Sequence, residues 1–323
     1  MIVVCGEALV DLTPDPSTPR GELGPLHPRL GGGPYNVAIA LGRLGVPATF
    51  LSRLSTDRFG DKLLDRLSAA GVDTGAVQRG AEPTTLAAVV LDAEGSARYS
   101  FYAAATASRF VTDPGPLPEE TAAVSFGTLS MVLEPGATVY ESILLRQARR
   151  GTFVALDPNI RSELIEDTEA YRKRFLSWLP GIDLLKLSVE DAAWLAGEQS
   201  AAAEAADLVD VLRQWQRRGP AAVVLTRGAD GLMVLTDEGR TIEVPGIAAS
   251  VADTIGAGDT VQAALLTWLY RHDALSAAAM RALDRQQWQR ALGFAASAAA
   301  VTVSRSGAEP PYSTEIDRPD PLG

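Results

Sequence analysis

The chain has 323 residues, 29 of them Lys or Arg and 40 Asp or Glu, for a formal net charge of −11. That balance argues against nucleic acid as a partner, since phosphate backbones call for a basic face. With His27 and His272 far apart and Cys5 the only cysteine, the chain has neither a zinc cluster nor an internal disulfide, little scope for a histidine-based triad, and a composition suited to the cytoplasm.

Met1 to Cys5 enters a strand pattern at once, without a basic leader, and no apolar stretch of membrane-spanning length is free of charge. Strands are expected at Ile2–Cys5, Thr49–Leu54, Ala122–Phe126, Thr152–Leu156, Leu184–Leu187 and Ala221–Leu225. Helices are expected at Pro34–Leu44, Gly60–Ala70, Ala137–Arg150, Thr168–Leu179, Ala203–Arg218, Asp259–Arg271 and Gln286–Val303. The alternation predicts a parallel sheet covered on both faces, in one α/β domain over residues 1–323. Two segments break it: 9–30 is extended and proline-rich, and 84–112 opens with paired strands, Thr85–Leu91 and Ala97–Tyr102, around the turn Asp92–Gly95. The alanine-rich stretches 201–206 and 295–300 sit in helical patterns, and the tail after Gly307 reads as a surface strap.

Asp253-Thr-Ile-Gly-Ala-Gly-Asp259-Thr260 carries the strongest chemical signal. Gly256 and Gly258 around Ala257 let successive N–H groups converge at the start of a helix that is apolar nearly all round, which makes an anion site. A carboxylate repels the anion it sits beside, so Asp259 is poor ligand design. It is good chemistry if it takes a proton from a hydroxyl while the amides of Ile255 to Gly258 stabilise the group that the hydroxyl attacks. The plainer reading is a helix N-cap after a glycine-rich turn. A second segment, Gly31-Gly-Gly-Pro-Tyr-Asn36 running to Gly45, is a triple-glycine loop with a proline suited to the first helical turn; tight helix packing is its plainer reading.

In this order, and with Gly6-Glu-Ala-Leu-Val-Asp11, Asp157-Pro-Asn-Ile-Arg161, Leu185-Lys-Leu-Ser-Val-Glu-Asp191, Thr226-Arg-Gly-Ala-Asp-Gly231 and Arg305-Ser-Gly-Ala308, the chain resembles the ribokinase-like sugar kinases of the phosphofructokinase-B family, and within it the bacterial fructokinases. The resemblance implies a three-layer α/β/α fold with a mostly parallel sheet. It also implies a small β lid, built from segments 9–30 and 84–112, that covers the sugar and can serve as a dimer surface. Its implied cofactors are ATP and magnesium, with a potassium ion beside the anion hole in many members.

Site residues follow from the same resemblance. Asp11 faces sugar hydroxyls, which a carboxylate accepts well from a vicinal diol, and Gly32, Gly33, Asn36 and Tyr102 line the same pocket. Arg161 lies near the transferred phosphate or the sugar, at the edge where open α/β sheets bind ligands. Lys186, Ser188, Thr226, Gly228, Gly231 and Ser297 belong to the nucleotide side, with adenine between the 244–250 loop and the helix bearing Phe294, Ala295 and Ser297. Family members often carry Asn-x-x-Glu where this chain has Ser188-x-x-Asp191, so Glu190 and Asp191 both stand as candidates to act on magnesium through water; Asp253 and the 304–307 loop are candidates for potassium.

The expected reaction is attack of a primary hydroxyl on the γ-phosphate of ATP, with Asp259 as general base. A non-catalytic sugar- or nucleotide-sensing protein has no need of the intact Asp259 and glycine loop. A dinucleotide oxidoreductase lacks its glycine fingerprint after the first strand. Two sugars compete, neutral D-fructose and the acid 2-keto-3-deoxygluconate. Kinases of the acid typically carry a basic residue just after the lid aromatics, whereas Ser100-Phe-Tyr102 is followed by no charge until Arg109, and Asp11 repels an acid. Fructose is therefore expected, with Arg98 and Arg161 as the cations that an acid would need.

Overall fold

The computed structural model describes all residues except 16, 20–21, 23, 92–96, 198–204, 237–238, 240 and 317–323, and at 90–91, 97–98 and 205–207 the backbone alone. The turn expected at Asp92–Gly95, the start of the helix expected at Ala203–Arg218, Pro319, Pro321 and the side chain of Arg98 therefore lie outside the described residues.

The chain opens with β1 (Ile2–Cys5), β2 (Leu9–Pro14), β3 (Leu26–Gly31), α1 (Gly33–Arg43), β4 (Ala48–Ser55), α2 (Arg58–Ala69) and β5 (Val77–Gly80). It continues through β6 (Thr85–Leu91), β7 (Ala97–Tyr102), β8 (Ala123–Gly127), α3 (Gly136–Arg150), β9 (Phe153–Asp157), α4 (Thr168–Trp178), β10 (Leu184–Ser188) and α5 (Val189–Ala196). The last part holds α6 (Ala205–Gln216), β11 (Ala222–Thr226), β12 (Leu232–Thr236), β13 (Thr241–Val244), α7 (Ala257–Arg271), α8 (Ala277–Arg281), α9 (Arg285–Val303) and α10 (Ser313–Ile316).

Nine strands form one sheet in the order β13-β12-β11-β10-β9-β8-β1-β4-β5, parallel except where β11, β12 and β13 run as an antiparallel meander at one edge. The strand period of two divides its side chains between two cores. Along β1, Ile2 and Val4 pack with α1, α7 and α9 on one face, and Val3 and Cys5 with α3 and α4 on the other. Such strands are buried on both sides, which is why Ile2–Cys5 reads as an unbroken apolar run. Capping chemistry starts the flanking helices: Asp57 accepts from the Gly60 amide at α2, and Ser188 with Asp191, and Asp284 with Gln287, form capping boxes at α5 and α9.

The two segments that break the alternation meet in a separate sheet, β3-β2-β6-β7. Asp11 is paired there with Arg29 on one side and Ala87 on the other, and Leu9, Ala87, Tyr99 and Phe101 pack onto Leu129 beneath. The elements that sequence periodicity did not signal are short or peripheral: β5, β12, β13, α5, α8 and α10. Among the described residues, no helix is long and apolar enough to cross a membrane.

Candidate active site

The C-terminal ends of β1, β8, β9 and β10, the edge at which open α/β sheets bind ligands, converge on the N-termini of α1 and α7. A pocket of about 250 Å³ opens there, walled by Glu7 after β1, Asp11 of β2, Gly32 just before α1, Gly33 and Asn36 of α1, and Tyr99 and Phe101 of β7. Thr128, Leu129, Asn159, Arg161, Thr254 to Gly256, Gly258 and Asp259 complete it.

The helix expected from Asp259 begins two residues earlier, at Ala257, with Gly256 as its N-cap at φ 79°, a left-handed conformation natural to glycine. Asp259 is thus in the first turn, where a helix leaves its amides without intrahelical partners. The set of unpartnered amides at this turn is narrower than the sequence suggested. The Ile255 amide donates to Asp253 Oδ1 (3.0 Å) and that of Ala257 to Thr254 O (3.3 Å), which leaves Gly256 and Gly258 as the glycine amides for an incoming anion. Asp253 also accepts from the Gly307 amide (2.9 Å), so it staples this loop to the 304–307 loop.

Asp259 is 7% exposed, and its Oδ2 accepts from Asn36 Nδ2 at 2.9 Å. Burial raises its pKa above the usual carboxylate range, against the pull of the Asn36 hydrogen bond and the charges of Lys186 and Arg161. Asp11 is pushed up to about 6, by burial first and then by Asp259 and Asp253, with Arg161 opposing. The glycines of the loop are all used. A Cβ on Gly31 would overlap the Asp11 carboxylate and one on Gly33 the Thr128 hydroxyl, while Gly32 has φ 113°. Arg161 is held by Nη1 on Asn159 Oδ1 (2.7 Å), Asn159 O and Ile160 O.

Below the anion hole, Lys186 Nζ pairs with Asp157 Oδ2 at 2.7 Å, both groups buried. Burial alone would lower the lysine's pKa, but Asp157, Asp191 and Asp259 hold it above its usual value. A Cβ on Gly258 would come within 2.9 Å of this ammonium, so Lys186 lies directly under the hole.

The expected nucleotide residues lie outside the pocket wall, at the ends of β10 and β11 and on α9. Thr226 sits beside Ser188 in register and leans toward Leu187 O (3.4 Å). Gly228 has φ 56° in open space, whereas Gly231 (φ 92°) is glycine because a Cβ would strike Val244 O and Gly246 N. Ser297 donates to Gly293 O (2.9 Å), and Ala295 beside it faces the core rather than a ligand. Two expectations need correction. The Ser188 hydroxyl is spent on the capping box, and Asp191 is spent with it, because its Oδ2 accepts from Ser188 and its Oδ1 from the Ile160 amide (2.7 Å). Glu190 is exposed, so of the two acids it is the one free to turn toward a metal.

Tyr102 also needs correction. It is 63% exposed, and its neighbours Tyr99 and Phe101, stacked at 5.9 Å, face the pocket instead. Strand alternation is the signal that distinguishes them. Sequence reasoning also passed over Glu7, Asp157 and Asn159, all inside quoted motifs, and Thr128, which no motif marks. Among the described residues no three Asp, Glu, His or Cys side chains gather as a metal cage.

Residues 1–315 match the description "pfkB family carbohydrate kinase". The chain is 37% identical over 290 residues to a fructokinase of Rhizobium leguminosarum bv. trifolii, covering 88% of this chain and 85% of that one. It is 32% identical over 321 residues to a fructokinase of Klebsiella pneumoniae, covering 98% of each. Among solved structures it is similar to the ATP-bound fructokinase of Xylella fastidiosa, with a TM-score of 0.86 at 29% identity over 98% of this chain and 96% of that one. The chain therefore belongs to the pfkB family of carbohydrate kinases. It is a phosphotransferase whose acceptor is a sugar hydroxyl.

Proposed function

We propose that the chain phosphorylates D-fructose with ATP, and that Asp259 is the general base. The observation that carries this reading is the buried Asp259, oriented by Asn36 at the α7 N-terminus in the wall of the pocket. A primary hydroxyl over the triple-glycine loop gives its proton to Asp259 as its oxygen attacks the γ-phosphorus. The bond from that phosphorus to the bridging oxygen breaks and ADP leaves, while the Gly256 and Gly258 amides hold the charge on the phosphoryl oxygens. Lys186 below the hole adds positive charge to the same point. Magnesium, held with help from Glu190, offsets the charge of the phosphates when bound. Asp253 and the 304–307 loop that it holds through the Gly307 amide would supply the ligands for a potassium ion.

A neutral sugar suits the pocket better than an acid. Three carboxyl groups, Glu7, Asp11 and Asp259, line it against the single cation Arg161, whose guanidinium already serves Asn159 and Ile160. A substrate carboxylate would be desolvated among like charges, a cost of several kcal/mol. The exposed Leu26 and Tyr102, on the edge strands β3 and β7 of the small sheet, suit contact with a second copy, and the lone buried Cys5 suits the cytoplasm.

A coupled ADP-release assay over a sugar panel tests the reading. The highest kcat/KM is expected for fructose, and a clear preference for 2-keto-3-deoxygluconate would overturn the sugar assignment while leaving the kinase standing.

A further inference from the structure

Glu7 follows β1 and lines the sugar pocket, yet it is only 2% exposed and no step of the proposed reaction passes through it. Burying a carboxyl group is costly, and an apolar side chain would fill the same space more cheaply. Its contacts are one-sided. Oε2 accepts from the backbone amide of Ser130 at 2.9 Å, while Oε1 is buried without a hydrogen-bond partner among the described residues.

Ser130 belongs to the turn Thr128–Met131 that follows β8. Thr128 opens this turn at φ 59°, a left-handed conformation that a β-branched residue adopts only when its surroundings impose it. Its hydroxyl occupies the space that a side chain on Gly33 would need, and both Thr128 and Leu129 wall the pocket. Other bonds to this turn come from its own strand, from the residues just after it and from the segment after β9: Ser130 Oγ donates to Gly127 O (2.5 Å), the Val132 and Leu133 amides donate to Leu129 O (3.0 and 2.9 Å), the Thr128 amide donates to Pro158 O (3.2 Å), and Asn159 Nδ2 donates to Thr128 Oγ1 (3.5 Å). The Glu7 carboxyl is thus the tie between this strained turn and the segment joining β1 to the small sheet.

We infer that Glu7 is a positioning residue for the sugar. By holding the Ser130 amide it sets Thr128 and Leu129 against the triple-glycine loop, and so fixes one wall of the sugar pocket without touching the nucleotide side. The inference rests on the sugar-kinase reading of the site.

Two near-isosteres separate reach from charge. Glu7→Gln keeps an oxygen at the same distance to accept from Ser130 but removes the charge, whereas Glu7→Asp keeps the charge and falls short by one methylene. KM for fructose is expected to rise at least about tenfold in Glu7→Asp and Glu7→Ala and to stay within about threefold in Glu7→Gln, with KM for ATP within about twofold throughout. Loss in Glu7→Gln with Glu7→Asp intact would show that charge matters rather than reach, and overturn the inference. So would an equal rise of both KM values, or an unchanged sugar KM in Glu7→Asp. If the wild type phosphorylates another sugar in place of fructose, the assignment of fructose fails on its own, and the same comparison is read on the preferred sugar.

Discussion

The two sides of the cleft around Asp259 are built in different ways. On the side of the small sheet, polar side chains line the pocket: Asp11, Asn36 and Asp259 face it between two aromatic rings, with Gly32 at φ 113° in its wall and Arg161 beside it. On the side of β10, β11 and α9, polar side chains are spent on the protein's own backbone, as Ser188 and Asp191 are on the α5 cap and Ser297 on Gly293. A sugar is recognised by the directions of its hydroxyl groups, which only placed side chains can read. Under the proposed function, nucleotide phosphates would be held by amides, a helix terminus and the buried Lys186 ammonium, which need little side-chain commitment.

Removing the base at the seam is the severest test of that contrast. Asp259→Asn should lower kcat by about 10²–10⁴, the usual contribution of a general base, while calorimetry shows nucleotide affinity unchanged. Near wild-type turnover would end the base assignment.

Gly258→Val should come next. Its side chain would press on Lys186, which its pairing with Asp157 keeps from moving aside. Turnover should fall by about 10²-fold, the scale of losing one anion-hole donor, while titration with sugar alone shows unchanged affinity. Lost sugar affinity with phosphoryl transfer intact would contradict the division between the two sides.

Asp11→Asn should act on the sugar side alone. Hydrogen bonds to a charged group are worth about 1.5–3 kcal/mol, so KM for the sugar should rise by about tenfold or more with KM for ATP unmoved. Parallel changes in both constants would mean that Asp11 supports the whole cleft.

A pH titration of stability addresses the same side. Burial raises Glu7 from 4.5 to about 7, with its own and the Ser130 backbone hydrogen bonds opposing and Asp259 adding to the rise. A carboxyl whose folded pKa lies above its unfolded value binds its proton more tightly in the native state. Its stabilising effect is therefore complete below about pH 4.5 and lost as pH rises through 7. The ligand-free protein should lose stability across that window, by up to about 3 kcal/mol from this group. Urea unfolding of Glu7→Gln should show a shallower slope, and an identical slope would remove Glu7 as the source.

The smallest effect is expected on the nucleotide side, where Ser297→Ala removes only a hydroxyl bonded within its own helix. KM for ATP should change by less than about twofold, as for most substitutions away from buried networks. A tenfold rise would show that this side also recognises its ligand through side chains.

Much of the framework was legible because it follows from local rules. The apolar runs of β1, β8 and β9 mark doubly buried strands, and the glycines Gly256 and Gly258 mark the start of α7. β12 and β13 went unread because Leu232–Thr236 and Thr241–Val244 are short and follow a glycine turn that reads equally well as a loop.

By itself the sequence determined the alternation of strands and helices, the glycine loops at two helix starts and the acid at the head of α7, because chain stereochemistry and hydrophobic period act over a few residues. Tertiary structure alone decided which groups face each other. Asn36 meets Asp259 across 223 positions, Lys186 rather than Ser188 reaches the anion hole, and Tyr99 and Phe101 rather than Tyr102 turn toward the pocket. The physical reason is that hydrogen bonds, ion pairs and burial depend on distance in space. That distance is set only when β1, β8, β9 and β10 lie side by side and the small sheet closes over their ends.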